Sequence, residues 1–289
     1  MRQLWIPALA LLIGACAQDD EPAAAAGAGD RASSAAPVAA GSRDTPSIAD
    51  IPPAIEVTGY EIAYGDAAVR INNGYFVLPA DVGEPLPGIL LIHDQWGLND
   101  TIRAMARRLS GEGYAVLAID LFEGETADSA GQADALVGRF LGDRAAVLAN
   151  IGQARAWLQE NGLPPRIAVV GFGYGGEWAL RAALNAGEGI NATVMFYGRV
   201  VSNSSELETL RAPVLGIFAQ QDDRIPLRDV TQFRSRLRDL GSGNAVLIHP
   251  NVGYDFANPD SAAYDHEAAV ENWNNAVRFL GDYLVAGAR

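Results

Sequence analysis

The chain is short of the residues that carry metal and redox chemistry. It has one cysteine, Cys16, and three histidines, His93, His249 and His266. A single cysteine excludes an internal disulfide and a thiolate metal cluster. No HExxH motif and no cluster of histidines with carboxylates appears, so neither a metal nor a cofactor is expected. Positive charge is scarce too, with 21 basic against 35 acidic residues and a formal net charge of −14. Binding nucleic-acid phosphates needs clustered basic side chains, so no nucleic-acid partner is expected. Acidity of this kind gives solubility and says nothing about fold. Long apolar runs are absent at the amino terminus, where Leu4 to Ile13 spans about ten residues and a membrane-crossing helix needs about twenty.

That short run follows Arg2 and fits a signal-peptide core, giving residues 1–15 as a cleaved leader. Ile13-Gly14-Ala15-Cys16 resembles the bacterial lipobox, an aliphatic residue and two small ones before cysteine. The resemblance implies that Cys16 becomes a lipid-modified amino terminus, since the only cysteine stands where a lipobox requires it. More than one acyl chain gives stable anchoring where a single chain gives marginal binding. Ala17 follows Cys16, and the absence of Asp there resembles outer-membrane sorting in Gram-negative bacteria. The expected location is therefore the cell envelope, on the periplasmic face of the outer membrane. Residues 16–53 are rich in Ala, Gly, Ser, Pro and Asp without apolar periodicity, which reads as a tether. Coil of that length spans on the order of 30–35 Å. Gly27, Gly29, Pro37, Gly41 and Pro46 argue against an alanine-rich helix.

From residue 54 to 289 the texture is that of one folded domain. Glu56 to Ala63 and Ala67 to Val77 read as strands about a Gly65-Asp66 turn. Gly88 to His93, Tyr114 to Ile119, Arg166 to Val170, Ala192 to Tyr197, Pro213 to Phe218 and Ala245 to Ile248 are apolar runs of strand length. Between them Thr101 to Glu112, Asp143 to Glu160, Gly176 to Asn185, Arg228 to Leu240 and Asp265 to Leu284 carry helical stripes. This alternation predicts an α/β fold with a doubly wound, mostly parallel sheet. Ligands then collect beyond the carboxyl ends of the strands, in the loops after His93, Val170, Phe218 and Ile248.

Each of those loops resembles a motif of the dienelactone hydrolase family, which has the α/β-hydrolase fold. His93-Asp94-Gln95-Trp96-Gly97-Leu98-Asn99 looks like its H-E-x-x-G-L-N loop. Gly171-Phe172-Gly173-Tyr174-Gly175-Gly176 sits where the family has its G-x-C-x-G-G elbow. Phe218-Ala219-Gln220-Gln221-Asp222, followed by Ile225-Pro226, is similar to the acid loop. Gly253-Tyr254-Asp255-Phe256 resembles G-H-x-F, the loop of the catalytic histidine. The likeness runs in order from about Gly59 to Leu284.

The resemblance implies ester or lactone hydrolysis by a nucleophile, a histidine that takes its proton and an acid that orients the histidine. Here only the acid position is kept, as Asp222. The nucleophile position is Gly173, without a side chain, and the histidine position is Tyr254, a poor base at neutral pH. None of the serines lies in a G-x-S-x-G turn, and His93 reads as a loop-shaping residue. The resemblance also assigns the backbone N–H groups of Gln95 and Tyr174 to an oxyanion hole. It further implies that Asp222 faces Tyr254 and accepts its hydroxyl. A cleft lined by Asp94, Trp96, Phe122, Tyr174 and Tyr254 is expected. Gly171-x-Gly173-x-x-Gly176 also fits a dinucleotide-binding turn, but it falls mid-sheet, and no acid closes the next strand near Tyr197. Arg199 there suits at most a 2′-phosphate.

Three functions are carried forward. One is a non-catalytic envelope protein whose cleft binds a small ester-, lactone- or carboxylate-like molecule. The others are an active ester or lactone hydrolase with a non-standard site, and a structural or interaction protein with a collapsed cleft. The anchor is tested directly by labelling cells with a radioactive fatty acid. Label is expected on the parent chain and absent from Cys16→Ala; label persisting on that variant contradicts the lipobox reading.

Overall fold

Five of eight strands are buried on both sides and demand cover on both faces, and the architecture follows from that. A computed structural model describes residues 47–285 apart from 69, 82–84, 141, 162–165 and 242. The leader, Cys16 and the tether up to residue 46 lie outside the described residues.

The strands are β1 (Val57–Asp66), β2 (Arg70–Pro79), β3 (Gly88–Ile92), β4 (Ala115–Ile119), β5 (Ile167–Phe172), β6 (Ala192–Phe196), β7 (Val214–Ala219) and β8 (Ala245–His249). They form one sheet in the order β1-β2-β4-β3-β5-β6-β7-β8. β2 pairs antiparallel with β1 and with β4, and every later pairing is parallel. β3, β4, β5, β6 and β7 are buried along their whole length, which is why they read as unbroken apolar runs.

The helices are α1 (Asp100–Gly111), α2 (Ala130–Phe140), α3 (Arg144–Glu160), α4 (Tyr174–Asn185), α5 (Ser204–Leu207), α6 (Leu227–Asp239) and α7 (His266–Leu284). α1 and α7 pack on one face, where Ile102, Met105, Trp273 and Leu280 meet Leu91, Val116 and Val170. α3 and α4 cover the other face through Val147, Ile151, Trp178 and Ala182 against Leu90, Leu117 and Val169. α6 completes that layer with Val230, Phe233 and Leu237 against Phe218. No helix among the described residues is long and apolar enough to cross a membrane.

Three expectations need correction. The first turn lies after Asp66, not at Gly65-Asp66: Gly65 stays in β1 opposite Ile71, and the Asp66 carboxylate caps the Ala68 N–H at 2.8 Å. α2 was not expected, because only Ala133 and Leu136 of it are buried and it shows no stripe. The tether does not run to Pro53. Ile48 is buried, its N–H donates to the Tyr264 hydroxyl at 3.0 Å, and its carbonyl accepts from Arg108 at 3.1 Å. The Arg108 guanidinium in turn lies 4.4 Å over the Trp273 ring. One large apolar residue in a polar stretch was enough to dock the chain onto α1 and α7.

Ile48→Ala is expected to destabilise the domain by about 2 kcal/mol, the lower end for truncating a buried isoleucine. Urea unfolding of the parent and the variant reads this; equal midpoints would show that the docked segment contributes nothing.

Candidate functional site

The carboxyl ends of β3, β5, β6, β7 and β8 bring five loops together. The turn between β5 and α4 sets the arrangement. Gly173 has φ +53° and ψ −117°, a backbone state disfavoured for side-chain-bearing residues. Its N–H donates to the Phe196 carbonyl at 2.9 Å, which ties the turn to the end of β6. A Cβ at Gly175 would stand 2.3–2.4 Å from the Ile92 and His93 carbonyls, so glycine there lets α4 press onto the end of β3. Gly173 is the amino-terminal cap of α4 and supplies no side-chain cap. Among the described residues, no hydrogen-bond acceptor is found for the backbone N–H of Tyr174 or of Gln95.

Tyr254 stands over this turn. Its hydroxyl lies 2.6 Å from where a Cβ of residue 173 would be, and Gln95 Oε1 lies 3.1 Å from the same point. The hydroxyl donates to Gln95 Oε1 at 3.2 Å. This corrects the expected bond to Asp222. A phenol is longer than an imidazole, and its oxygen reaches past Asp222 to the β3 loop. Asp222 instead accepts the N–H groups of Arg224 and Ile225 through Oδ1, both at 2.8 Å, and its Oδ2 is buried without a protein partner. Burial raises its pKa and those two N–H groups oppose the rise. Burial, and then the Asp255 and Asp94 charges, push the Tyr254 pKa far above its ordinary value, so it stays a neutral phenol.

Behind Tyr254 lies a carboxylate pair. Asn258 Nδ2 donates to Asp94 Oδ2 at 3.3 Å and to Asp255 Oδ2 at 3.2 Å. Asp94 also accepts the Trp96 N–H at 2.9 Å. Asp255 Oδ1, the Tyr197 hydroxyl and the Trp96 indole N–H are buried without well-formed hydrogen bonds, although both Tyr197 and Trp96 sit close enough to favour the Asp255 charge. Burial raises the Asp255 pKa to about 6. Burial and the Asp255 charge raise Asp94 well above the usual carboxylate range. Tyr197 and Asp255 both hold positive φ, +36° and +68°, strain of the kind that gathers at functional sites. His93 serves the loop: Nδ1 faces the Asp94 carbonyl at 2.7 Å and Nε2 accepts the Leu121 N–H at 3.0 Å.

The open part of the site is a cavity of about 50 Å³ lined by Gly173, Tyr174, Glu177, Tyr197, Arg199, Arg224, Ile225 and Tyr254. Of the expected lining only Tyr174 and Tyr254 are there. Asp94 has its Cβ 3.5 Å from the Cβ position of residue 173, and Trp96 packs against the cluster that holds Phe122. Phe122 is fully buried in the core, 4.6 Å from the His93 ring and 5.7 Å from Phe140. The motif loops sent attention to β3 and missed Tyr197, Arg224, Asp255 and Asn258. Asp255 and Asn258, one and four residues beyond Tyr254, were the legible part of that omission. No group of three or more metal-ligating side chains occurs among the described residues.

Comparison with known proteins places this geometry. The sequence model of the dienelactone hydrolase family matches residues 73–284. A protein of Escherichia coli (strain K12) with a provisional carboxymethylenebutenolidase name is 29% identical over 224 residues, covering 72% of this chain and 82% of that one. A crystal structure of dienelactone hydrolase from Anabaena variabilis superposes with a TM-score of 0.60 at 22% identity, covering 79% of this chain and 99% of that one. A Klebsiella pneumoniae protein provisionally named a dienelactone hydrolase gives a TM-score of 0.71 at 23% identity, over 79% of this chain and 100% of that one.

The carboxylate pair makes stability depend on pH. Because the folded pKa values lie above the unfolded value near 3.9, the folded chain holds extra protons between about pH 4 and beyond 6. Stability is therefore higher on the acid side of that window and falls as pH rises through about 6. Asp255→Asn tolerates the positive φ, and should flatten this fall and stabilise the fold at pH 8 by roughly 1–3 kcal/mol. Denaturant titrations from pH 5 to 8 check it; an unchanged slope would contradict the buried pair.

Proposed function

The chain belongs to the dienelactone hydrolase family, and we propose that it is a lipid-anchored envelope member that has lost the family's covalent chemistry and keeps its cleft for a small ligand. The observation that carries this is the Tyr254 hydroxyl standing in the space of a side chain at Gly173. By resemblance, the nucleophile would project from Gly173 and the base would be at Tyr254. Gly173 offers no atom to attack a carbonyl. A buried neutral phenol pushed above its ordinary pKa takes no proton at neutral pH. Tyr254 also fills the room a cysteine would need, so the two changes reinforce each other. The retained backbone and Asp222 support a binding role for what remains.

A second reading, an active hydrolase with a non-standard site, is favoured by one observation. Asp94 and Asp255 are raised toward neutrality and can exchange a proton there. They do not line the cavity, which weighs against this reading.

Assays with activated esters and dienelactones separate the readings. The parent chain should show no turnover above background, and turnover lost in Asp222→Ala would overturn the proposal. Gly173→Cys alone should destabilise the fold by roughly 1–3 kcal/mol, through backbone strain and collision with Tyr254, and stay inactive. Combined with Tyr254→His, the collision is removed and the triad's parts are restored. The double variant should then exceed either single one by about tenfold or more, since such groups act as a unit.

A further inference from the structure

The glycine pattern at residues 171–176 gains a meaning from its surroundings. It lies between a strand and a 12-residue helix whose first turn has no side-chain cap and faces the cavity through Gly173, Tyr174 and Glu177. Arg199 and Arg224 line the same cavity, and neither forms a salt bridge among the described residues. Glu177, the one acid among the lining residues, is already paired with Arg181 at 2.7 Å. Arg224 is held at 4.4 Å over the Tyr254 ring, which fixes its guanidinium at the mouth. A fully buried Tyr197 lines the cavity, and its hydroxyl, without a well-formed hydrogen bond, lies close to Asp255. In a chain of net charge −14 without a single lysine, two arginines with no salt bridge among the described residues line one small cavity, Arg224 within the field of Asp222 and Asp255.

We infer that the cleft binds the dianionic phosphoryl group of a phosphate monoester, gripped by Arg199, Arg224 and the amino terminus of α4. This rests on the reading of the site as a ligand cleft and names the ligand's class. Two guanidinium groups and the roughly half positive charge of a helix amino terminus match a phosphoryl group, which carries about −1.5 to −2 at neutral pH. A carboxylate brings one charge and leaves an arginine unmatched. Guanidinium forks suit phosphate oxygens, and free N–H groups at a helix start are a ready anion site. A cavity of about 50 Å³ has room for a handful of water-sized groups, so it holds a phosphoryl head and leaves the rest of the molecule outside. That size separates this site from a dinucleotide-binding turn.

Isothermal titration of the full chain tests this with inorganic phosphate and phenyl phosphate, against acetate and the neutral ester methyl butyrate. Both phosphates should bind saturably, and acetate at least about tenfold more weakly. Arg199→Ala and Arg224→Gln should each weaken phosphate by about tenfold or more, the effect of deleting one charge-assisted contact. Both side chains are exposed, and unfolding midpoints equal to the parent's confirm that the variants fold. Absence of saturable phosphate binding, or binding indifferent to both substitutions, overturns the inference. If methyl butyrate binds and phosphate does not, this inference falls and the ligand cleft stands. If nothing binds, both fall.

Discussion

The turn at Gly173 is the constraint on which the rest of the site depends. Its backbone is held in a disfavoured region by the bond to Phe196 at one side and by α4 pressed onto β3 at the other. Such a conformation persists only when the surroundings over-determine it. With glycine in place the strain is relieved, so the turn keeps its shape without the residue that normally repays it with chemistry. Tyr174, the first residue of α4, lines the cleft, and no acceptor for its N–H is found among the described residues.

What fills the cleft follows from size. A tyrosine at 254 reaches across Asp222 and Gly173 to Gln95, joining the loops after β8, β5 and β3 by one hydroxyl. That contact closes the floor and leaves a small mouth between Arg199 and Arg224. It also buries Asp94 and Asp255 away from water with Asn258 as their shared donor. Two carboxylates so placed are opposed by burial and by each other, and the fold tolerates them because one proton relieves both costs. The Tyr254 plug, the raised carboxylates and the strained Asp255 backbone are thus one arrangement seen from three sides.

Much of the fold was legible in the sequence. Apolar runs buried on both faces and amphipathic stripes such as Ile102, Met105 and Leu109 located the sheet and most helices. α2 was not legible, since a helix burying two residues has no stripe. The docking of Ile48 was hidden in a polar stretch, because a single apolar residue carries no period. At the site, motif order pointed to Gly173, Asp222 and Tyr254, of which Gly173 and Tyr254 line one cavity. Side-chain direction was not readable. Phe122 turns into the core, Trp96 packs against the same cluster, and Arg224 folds over a ring that lies thirty positions on in sequence. Such contacts join residues far apart in sequence, and no local pattern announces them.

The central claim is that Tyr254 occupies the reaction space above Gly173. A high-resolution crystal structure of the ligand-free protein tests it most directly. The account predicts the Tyr254 hydroxyl in hydrogen-bond contact with Gln95 and packed against the Gly173 Cα, with no water between them. A Tyr254 ring rotated to the surface, leaving an open pocket with ordered water above Gly173, would contradict it.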